Sequence, residues 1–226
     1  MKKILVTGAT GFIGDYVVQE LLQRHYHVIT SSTNEANARK KSWFSKTDYR
    51  ALNLSYLSNA QNYFEYFDRP DIMIHLSWEG LPNYKDNFHI EENLPQQKNF
   101  LENIVKNGLK NINIAGTCFE YGMQEGVLKE DMPVFPANPY AQAKNMLRVF
   151  MENLKEKYSF DLKWIRLFYM YGKGQNPKSL LSQLQQAIDR KDEVFNMSGG
   201  EQIRDFLPVE KVAAYIVDIS VQTDVT

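Results

Sequence analysis

A tyrosine and a lysine four residues apart open one helical pattern of this chain, Asn138-Pro139-Tyr140-Ala141-Gln142-Ala143-Lys144. Asn138 is a good N-cap and Pro139 a good first helical residue, so Tyr140 and Lys144 share a helix face. An ammonium beside a phenol favours the phenolate and lowers a pKa that is ordinarily ~10. A phenol tuned in this way passes a proton to or from a ketone or a sugar hydroxyl. The spacing alone is a weak signal, because a chain with 13 tyrosines yields it by chance. A second pair, Tyr169 and Lys173, straddles Gly172 at an expected strand end, where helical geometry does not align it. Thr117 singles out the first pair. It follows Gly116 at the end of an apolar run, which places a hydroxyl at the mouth of the same crevice.

The N-terminus indicates what such proton chemistry accompanies. The apolar run Ile4 to Val6 breaks into Gly8, Gly11 and Gly14, and an amphipathic stretch with Ile13, Val17, Val18, Leu21 and Leu22 follows. Strand, glycine turn and helix form the entry unit of a dinucleotide-binding fold. Gly8 suits the tight turn, Gly11 lets the backbone approach a pyrophosphate, and Gly14 lets helix and strand pack closely. The helix start offers unpaired N–H groups and a partial positive charge to phosphates, and Thr10, Phe12 and Ile13 of this turn join the cofactor set. The spacing is G-x-x-G-x-x-G rather than G-x-G-x-x-G, but it stands at the strand-to-helix junction that the mechanism requires.

Positioning these groups calls for alternating elements. Strands are expected at 3–7, 27–31, 49–52, 72–76, 111–115 and 162–168, and helices at 12–24, 56–67, 93–107, 139–157, 177–190 and 209–220. The alternation predicts a Rossmann-type α/β fold: a doubly wound parallel sheet with helices on both faces. Ligands of such sheets bind beyond the carboxyl ends of the strands. Segments 32–48 and 119–138 read as loops. Residues 1–168 are expected to form the nucleotide-binding core with the catalytic helix. Residues 169–226 are expected to form a partial substrate region and a returning core helix.

The chain's 226 residues suit one sizeable domain, and a net charge of −1 points to neither nucleic acid nor a membrane surface. Cys118, the single cysteine, excludes an internal disulfide. The apolar run after Lys2 and Lys3 is too short for a signal-peptide core, and no run approaches the ~20 residues of a membrane span. The expectation is a cytoplasmic protein.

With the glycine turn, Thr117, Tyr140 and Lys144 in this order, the chain resembles the extended short-chain dehydrogenase/reductase family over nearly its whole length. The resemblance is to the nucleotide-sugar epimerase, dehydratase and reductase branch. Val6-Thr7-Gly8-Ala9-Thr10-Gly11-Phe12-Ile13-Gly14 looks like the family's first motif, and His75-Leu76-Ser77 resembles the fourth-strand motif that lines the cofactor. Asn93 lies where the family often has an asparagine at a helix start, and Glu120-Tyr121-Gly122 resembles its Val-Tyr-Gly. Arg166-Leu167-Phe168 with Tyr171-Gly172 resembles Arg-x-x-x-x-Tyr-Gly, and Arg204-Asp205-Phe206 resembles an Arg-Asp-Phe segment whose arginine meets the substrate diphosphate. The resemblance implies Tyr140 as general acid/base, Lys144 on the nicotinamide ribose, and Thr117 orienting the reacting oxygen. It also implies Leu76, Ser77 and Asn93 at the cofactor, and the family's dimers imply a homodimer through helices 93–107 and 139–157. Ile104, Val105, Leu147, Phe150, Met151 and Leu154 are candidates for that interface, each with a core-facing alternative.

Departures from the family pattern narrow the choice. No carboxylate follows the second strand; Ser31 and Ser32 stand there, with Arg39, Lys40 and Lys41 beyond. Small hydroxyls with a cation suit a 2′-phosphate, so NADP is favoured, with NAD the alternative. Asn53 and Leu54 stand where relatives place Asp and an apolar residue near the adenine. Dehydratases of the branch carry Asp-Glu after the catalytic threonine, whereas this chain has Cys118-Phe119, and phenylalanine supplies neither acid nor base. Cys118 reads as a small apolar filler rather than a nucleophile. The expected activity is a 4-ketoreductase of a nucleoside-diphosphate 4-keto-6-deoxysugar. The alternatives are an NAD-dependent 4-epimerase and a non-catalytic dinucleotide sensor. Trp78, Phe119 and Arg204 are the candidate substrate contacts, and no metal site is expected. Relatives usually continue past the Arg-Asp-Phe segment, so the expectation is either a truncated sequence or a reduced sugar lobe.

Overall fold

Alternate residues of the central strands face opposite ways, and each set has its own core. A computed structural model describes residues 2–222. Six strands, β1 (Lys3–Thr7), β2 (His27–Ser31), β3 (Asp48–Tyr49), β4 (Ile72–His75), β5 (Asn111–Thr117) and β6 (Asp161–Leu167), form one parallel sheet. Its order is β3-β2-β1-β4-β5-β6. Leu5, Ile29, Met73, Ile112 and Ile114 face α4 (Leu94–Lys106) and α5 (Pro139–Lys157), meeting Phe100, Leu101, Ile104, Leu147 and Met151. Ile4, Val6, Val28, Ile72 and Ile74 face α1 (Phe12–Gln23) and α7 (Val209–Val221), meeting Val17, Val18, Leu21, Ala213, Ile216 and Val217. Each such side chain contributes roughly 1.5–3 kcal/mol when fully buried. Covering both faces is what turns the strands into continuous apolar runs.

Local chemistry explains where the expected elements shift. The helix expected at 56–67 does not form. The Asn53 carboxamide accepts from the Ser55 N–H and caps a one-turn 3-10 helix at Leu54–Tyr56. Asn62 accepts from the Glu65 N–H and starts the short α3 (Tyr63–Tyr66) afresh. Two asparagine caps thus cut an apolar spacing that reads as one helix. The segment 32–48 is not all loop: Asn34 caps α2 (Glu35–Ala38), and a 3-10 turn follows at Phe44–Lys46. The third strand is only two residues long, although Arg50 and Leu52 still donate to the Thr30 and Ser32 carbonyls at 2.9 and 3.1 Å. A π-helical turn, His89–Asn93, precedes α4.

Past β6, Tyr169–Tyr171 (β7) and Phe206–Pro208 (β8) pair in parallel as a separate two-stranded sheet, with α6 (Leu180–Arg190) between them in sequence. The chain then returns through α7 to pack on α1. Ile104, Val105, Leu147, Met151 and Leu154 are all buried in the core rather than presented to a partner, and Phe150 packs against that core from its edge. The exposed apolar residues of α5 are instead Met146 and Val149. Among the described residues no helix is long and apolar enough to cross a membrane.

Candidate active site

The order of strands reverses between β1 and β4, and the crevice of an open parallel sheet lies at such a point. Gly8 leaves β1 with φ of +69°, and a Cβ on it would sit 2.9 Å from the Leu76 and Ser77 backbone beyond β4. A Cβ on Gly14 would sit 2.2 Å from the Gly8 carbonyl oxygen, so the first turn of α1 lies directly on the glycine turn. Gly11 is the N-cap of α1, and no side chain caps this end. The first N–H groups of a twelve-residue helix therefore face the crevice beside a turn with no side chains to fill it. This cradle fits the diphosphate of a dinucleotide.

Beside it, Thr7, Gly8, Ser31, Ser32, Leu52, Leu54, His75, Ser77 and Phe100 line a narrow cleft at the ends of β1, β2 and β4. His75 is fully buried, and its burial pushes its pKa down to about 4. The neutral ring donates from Nε2 to Gln97 Oε1 (2.5 Å) and accepts at Nδ1 from the Thr7 hydroxyl (2.7 Å). Gln97 in turn donates to the Ser77 carbonyl at 3.0 Å. This buried chain joins β1, β4 and α4 and holds Ser77 on the cleft wall. Sequence reasoning missed Gln97 because nothing local marks it.

A second cavity of about 430 Å³ opens next to Phe12 and is walled by Tyr84, Phe168, Tyr169, Met170, Gln175, Arg204 and Phe206, among others. Arg204 hydrogen-bonds the Tyr169 hydroxyl, lies 4.6 Å over its ring, and donates to Gln202 at 2.6 Å. A guanidinium held over a cavity that abuts the glycine turn suits an anionic ligand group.

The tyrosine–lysine pair lies behind Tyr84, one wall of this second cavity. Asn138 caps α5 by accepting from the Ala141 N–H at 2.9 Å. Tyr140 donates its backbone N–H to the Tyr84 carbonyl at 3.2 Å. The phenol is 7 % exposed and ringed by Trp78, Tyr84, His89 and Phe119, with centroids 5.9, 5.5, 5.4 and 6.4 Å away. Thr117, at the end of β5, is the neighbouring side chain that favours its charged form. Lys144 is 3 % exposed; its Nζ donates to the Ala115 carbonyl at 3.0 Å and lies 4.0 Å from the centre of the Trp78 ring. The three residues expected to do the chemistry therefore meet in one place.

Their electrostatics differ from the expectation. The phenol is raised, not lowered, because burial disfavours the phenolate and Thr117 only partly offsets it. Burial also brings Lys144 down to about 7, with Glu120 pulling the other way. The two groups share one desolvated pocket, and desolvation works against both charged forms.

Other expected residues take different roles. Trp78 does not face the cavity: it stacks on His89, donates to His89 Nδ1 at 3.1 Å and covers Lys144. Asn93 is buried and donates to the Glu79 carbonyl at 3.0 Å, tying down the segment after β4 rather than lining the cleft. Arg39 pairs with Glu35 at 2.5 Å and lies over Phe44. Lys41 pairs with Asp15 at 3.0 Å. Ser32 hydrogen-bonds the Tyr49 hydroxyl at 3.1 Å. Two of the three cations behind the NADP expectation, Arg39 and Lys41, are thus already engaged. Asn53 spends its carboxamide oxygen on its turn, while Leu54 does line the cleft. Phe119 packs on Tyr84 and Tyr140, and Cys118 has its thiol pushed up to about 11 by burial, in keeping with a filler. His89 and Tyr84 also went unmarked in the sequence reading, although both pack on Tyr140, and Glu120 entered it only as part of a family motif.

The model of the NAD dependent epimerase/dehydratase family matches residues 4–224. The chain is 30% identical over 214 residues to the dTDP-6-deoxy-L-talose 4-dehydrogenase (NAD(+)) of Aggregatibacter actinomycetemcomitans, a span covering 94% of this chain and 78% of that protein. It is 27% identical over 215 residues to the GDP-6-deoxy-D-talose 4-dehydrogenase of the same organism, covering 92% and 66%. Among solved structures, MoeE5 in complex with UDP-glucose and NAD superposes with a TM-score of 0.79 at 25% identity, covering 98% of this chain and 73% of that one.

Proposed function

The chain belongs to the NAD dependent epimerase/dehydratase family, and we propose that within it the protein works as an oxidoreductase at C4 of a nucleoside-diphosphate 6-deoxyhexose. In the reducing direction it is a 4-ketoreductase. The observation that carries this reading is the gathering of Tyr140, Thr117 and Lys144 behind Tyr84, a wall of the cavity that holds Arg204. Two relatives whose names specify 4-dehydrogenation of 6-deoxytalose nucleotides support it. Phe119, edge-on to Tyr140, supplies neither acid nor base for eliminating water.

The glycine cradle and the uncapped start of α1 fit a dinucleotide, with Ser31, Ser32 and Leu54 toward its adenosine end and Lys144 toward its other ribose. When bound, the nicotinamide supplies or accepts the hydride at the sugar carbon. Everything else is proton handling and placement. A phenol raised by burial stays protonated at neutral pH and donates to the carbonyl oxygen as that oxygen gains charge. Thr117 steadies the same oxygen, and Arg204 holds the diphosphate of the substrate. We further propose NAD as the cofactor, because Arg39 and Lys41 are paired within the protein and the 6-deoxy-L-talose relative is named for NAD(+).

The test is a panel of nucleoside-diphosphate 4-keto-6-deoxysugars with NADH and NADPH, followed by NMR of the products. Stoichiometric consumption of reduced cofactor with formation of the 4-hydroxyl sugar supports the reading. Interconversion of C4 epimers on a retained NAD, with none added, would replace it by the epimerase.

A further inference from the structure

The carboxylate of Glu120 lies at the root of Thr117 and belongs to no group used so far. It is completely buried. Its Oε1 accepts from the Thr117 N–H at 2.8 Å and from Trp164 Nε1 at 3.0 Å, and its Oε2 accepts from Arg166 Nε at 2.9 Å. Arg166 is itself fixed: it donates to the Tyr121 hydroxyl and the Glu130 carbonyl at 3.1 and 3.2 Å and lies 4.8 Å over the Tyr121 ring. The space for this arrangement exists because residue 116 is glycine. A Cβ there would come within 2.3 Å of Trp164 Nε1 and 2.7 Å of the carboxylate.

A buried carboxylate is costly unless every lone-pair direction finds a donor, and this one has donors from β6 and from the end of β5. Its bond to the Thr117 N–H is half of a capping box. In the other half the Thr117 hydroxyl accepts from the Phe119 N–H at 3.3 Å. The box fixes the threonine side chain as well as its backbone, and Phe119, which donates to that hydroxyl, packs edge-on to the Tyr140 ring. Valine, the residue of the matching family motif, could not accept from the Thr117 N–H.

We infer that Glu120 is a positioning residue: braced by Trp164 and Arg166 in the space left by Gly116, it sets the Thr117 hydroxyl at the distance and angle the Tyr140 phenol needs. The inference rests on the reading of Thr117 and Tyr140 given above, and the experiment separates the two.

Glu120→Gln, Glu120→Ala, Gly116→Ala and Trp164→Phe are compared with wild type and with Tyr140→Phe. Two readouts are taken: kcat and KM on the sugar nucleotide, and the χ1 rotamer of Thr117 from three-bond NMR couplings. The second needs no turnover. Expected are a single Thr117 rotamer in wild type and rotamer averaging in Glu120→Ala and Gly116→Ala. In those two variants kcat falls ~30-fold or more while KM stays within about threefold, because the binding surfaces are untouched. Glu120→Gln, which can still accept from the Thr117 N–H, keeps most of the rotamer order and loses less rate than Glu120→Ala. Trp164→Phe, the mildest change, shows the same pattern even if the alanine variants do not fold. A fixed Thr117 rotamer and unaltered kcat in Trp164→Phe and in whichever of the alanine variants folds, with Tyr140→Phe inactive, overturns the inference and leaves the proposed function standing. An active Tyr140→Phe overturns the proposed function instead, while the rotamer measurement still decides the inference.

Discussion

The ammonium of Lys144 rests 4.0 Å from the centre of the Trp78 ring, a residue from the far side of the crevice that also touches Tyr140 edge-on. A desolvated cation over an indole face gains about 2 kcal/mol. Here that gain offsets part of the burial that brings Lys144 down to about 7. Trp78→Phe keeps a ring under the lysine but loses the N–H donated to His89, so denaturant unfolding should register a loss of about 1 kcal/mol. Trp78→Ala removes both and should cost about 3 kcal/mol.

Tyr140→Phe deletes the proton carrier and leaves the glycine turn alone. Its kcat should fall by roughly 10³-fold, within the range general acid–base catalysis supplies. Titration calorimetry should find its affinity for NAD within about twofold of wild type.

His75 makes stability depend on acidity. Its folded pKa of about 4 lies below the ordinary 6.5 of a free imidazole, so between those values the unfolded chain binds a proton that the folded protein does not. Stability should therefore be unaffected by this group above 6.5. It should decline as pH falls from 6.5 to 4, by about 3 kcal/mol in all, and level off below. Melting curves across this window should show the decline in wild type and a shallower one in His75→Gln.

Arg39 is committed to Glu35 and Phe44, and its side chain is 64 % exposed. Arg39→Ala should change the affinities for NADH and NADPH by less than about twofold, since exposed pairs contribute only ~0.2–1 kcal/mol. Wild type should prefer NADH. A tenfold loss confined to NADPH in the variant would show that the arginine reaches a 2′-phosphate.

Gly14→Ala forces a methyl group to within 2.2 Å of the Gly8 oxygen. Neither backbone can yield without moving α1 off the turn. The variant should lose about 3 kcal/mol of stability and most of its dinucleotide affinity, measured by NAD-induced stabilisation against thermal unfolding.

The sheet was legible because its strands are short runs buried on both faces, as Ile4–Val6 and Ile72–Ile74 illustrate. The glycine turn was legible because its constraint is local: Gly8 and Gly14 meet neighbours a few residues away or at the end of the adjacent strand. The false helix at 56–67 arose because Tyr63, Phe64 and Phe67 do have helical spacing, while the caps that break it depend on which way Asn53 and Asn62 turn. The β7–β8 pair escaped notice because three-residue strands carry too little pattern. The protonation of the site was illegible for a different reason. The i, i+4 spacing places Lys144 near Tyr140, but the groups that decide both charges, Trp78, Tyr84 and Glu120, come from distant stretches of chain.

The narrow cleft beside Ser31 and His75 and the larger cavity beside Arg204 have no lining residue in common. The first is built entirely from residues up to Phe100, and most of the second comes from Phe168 onward. Under the proposed function, heritable variation past Phe168 retunes which hexose is accepted and leaves most of the dinucleotide's wall as it is, so a lineage built on this scaffold can diversify its sugars one wall at a time.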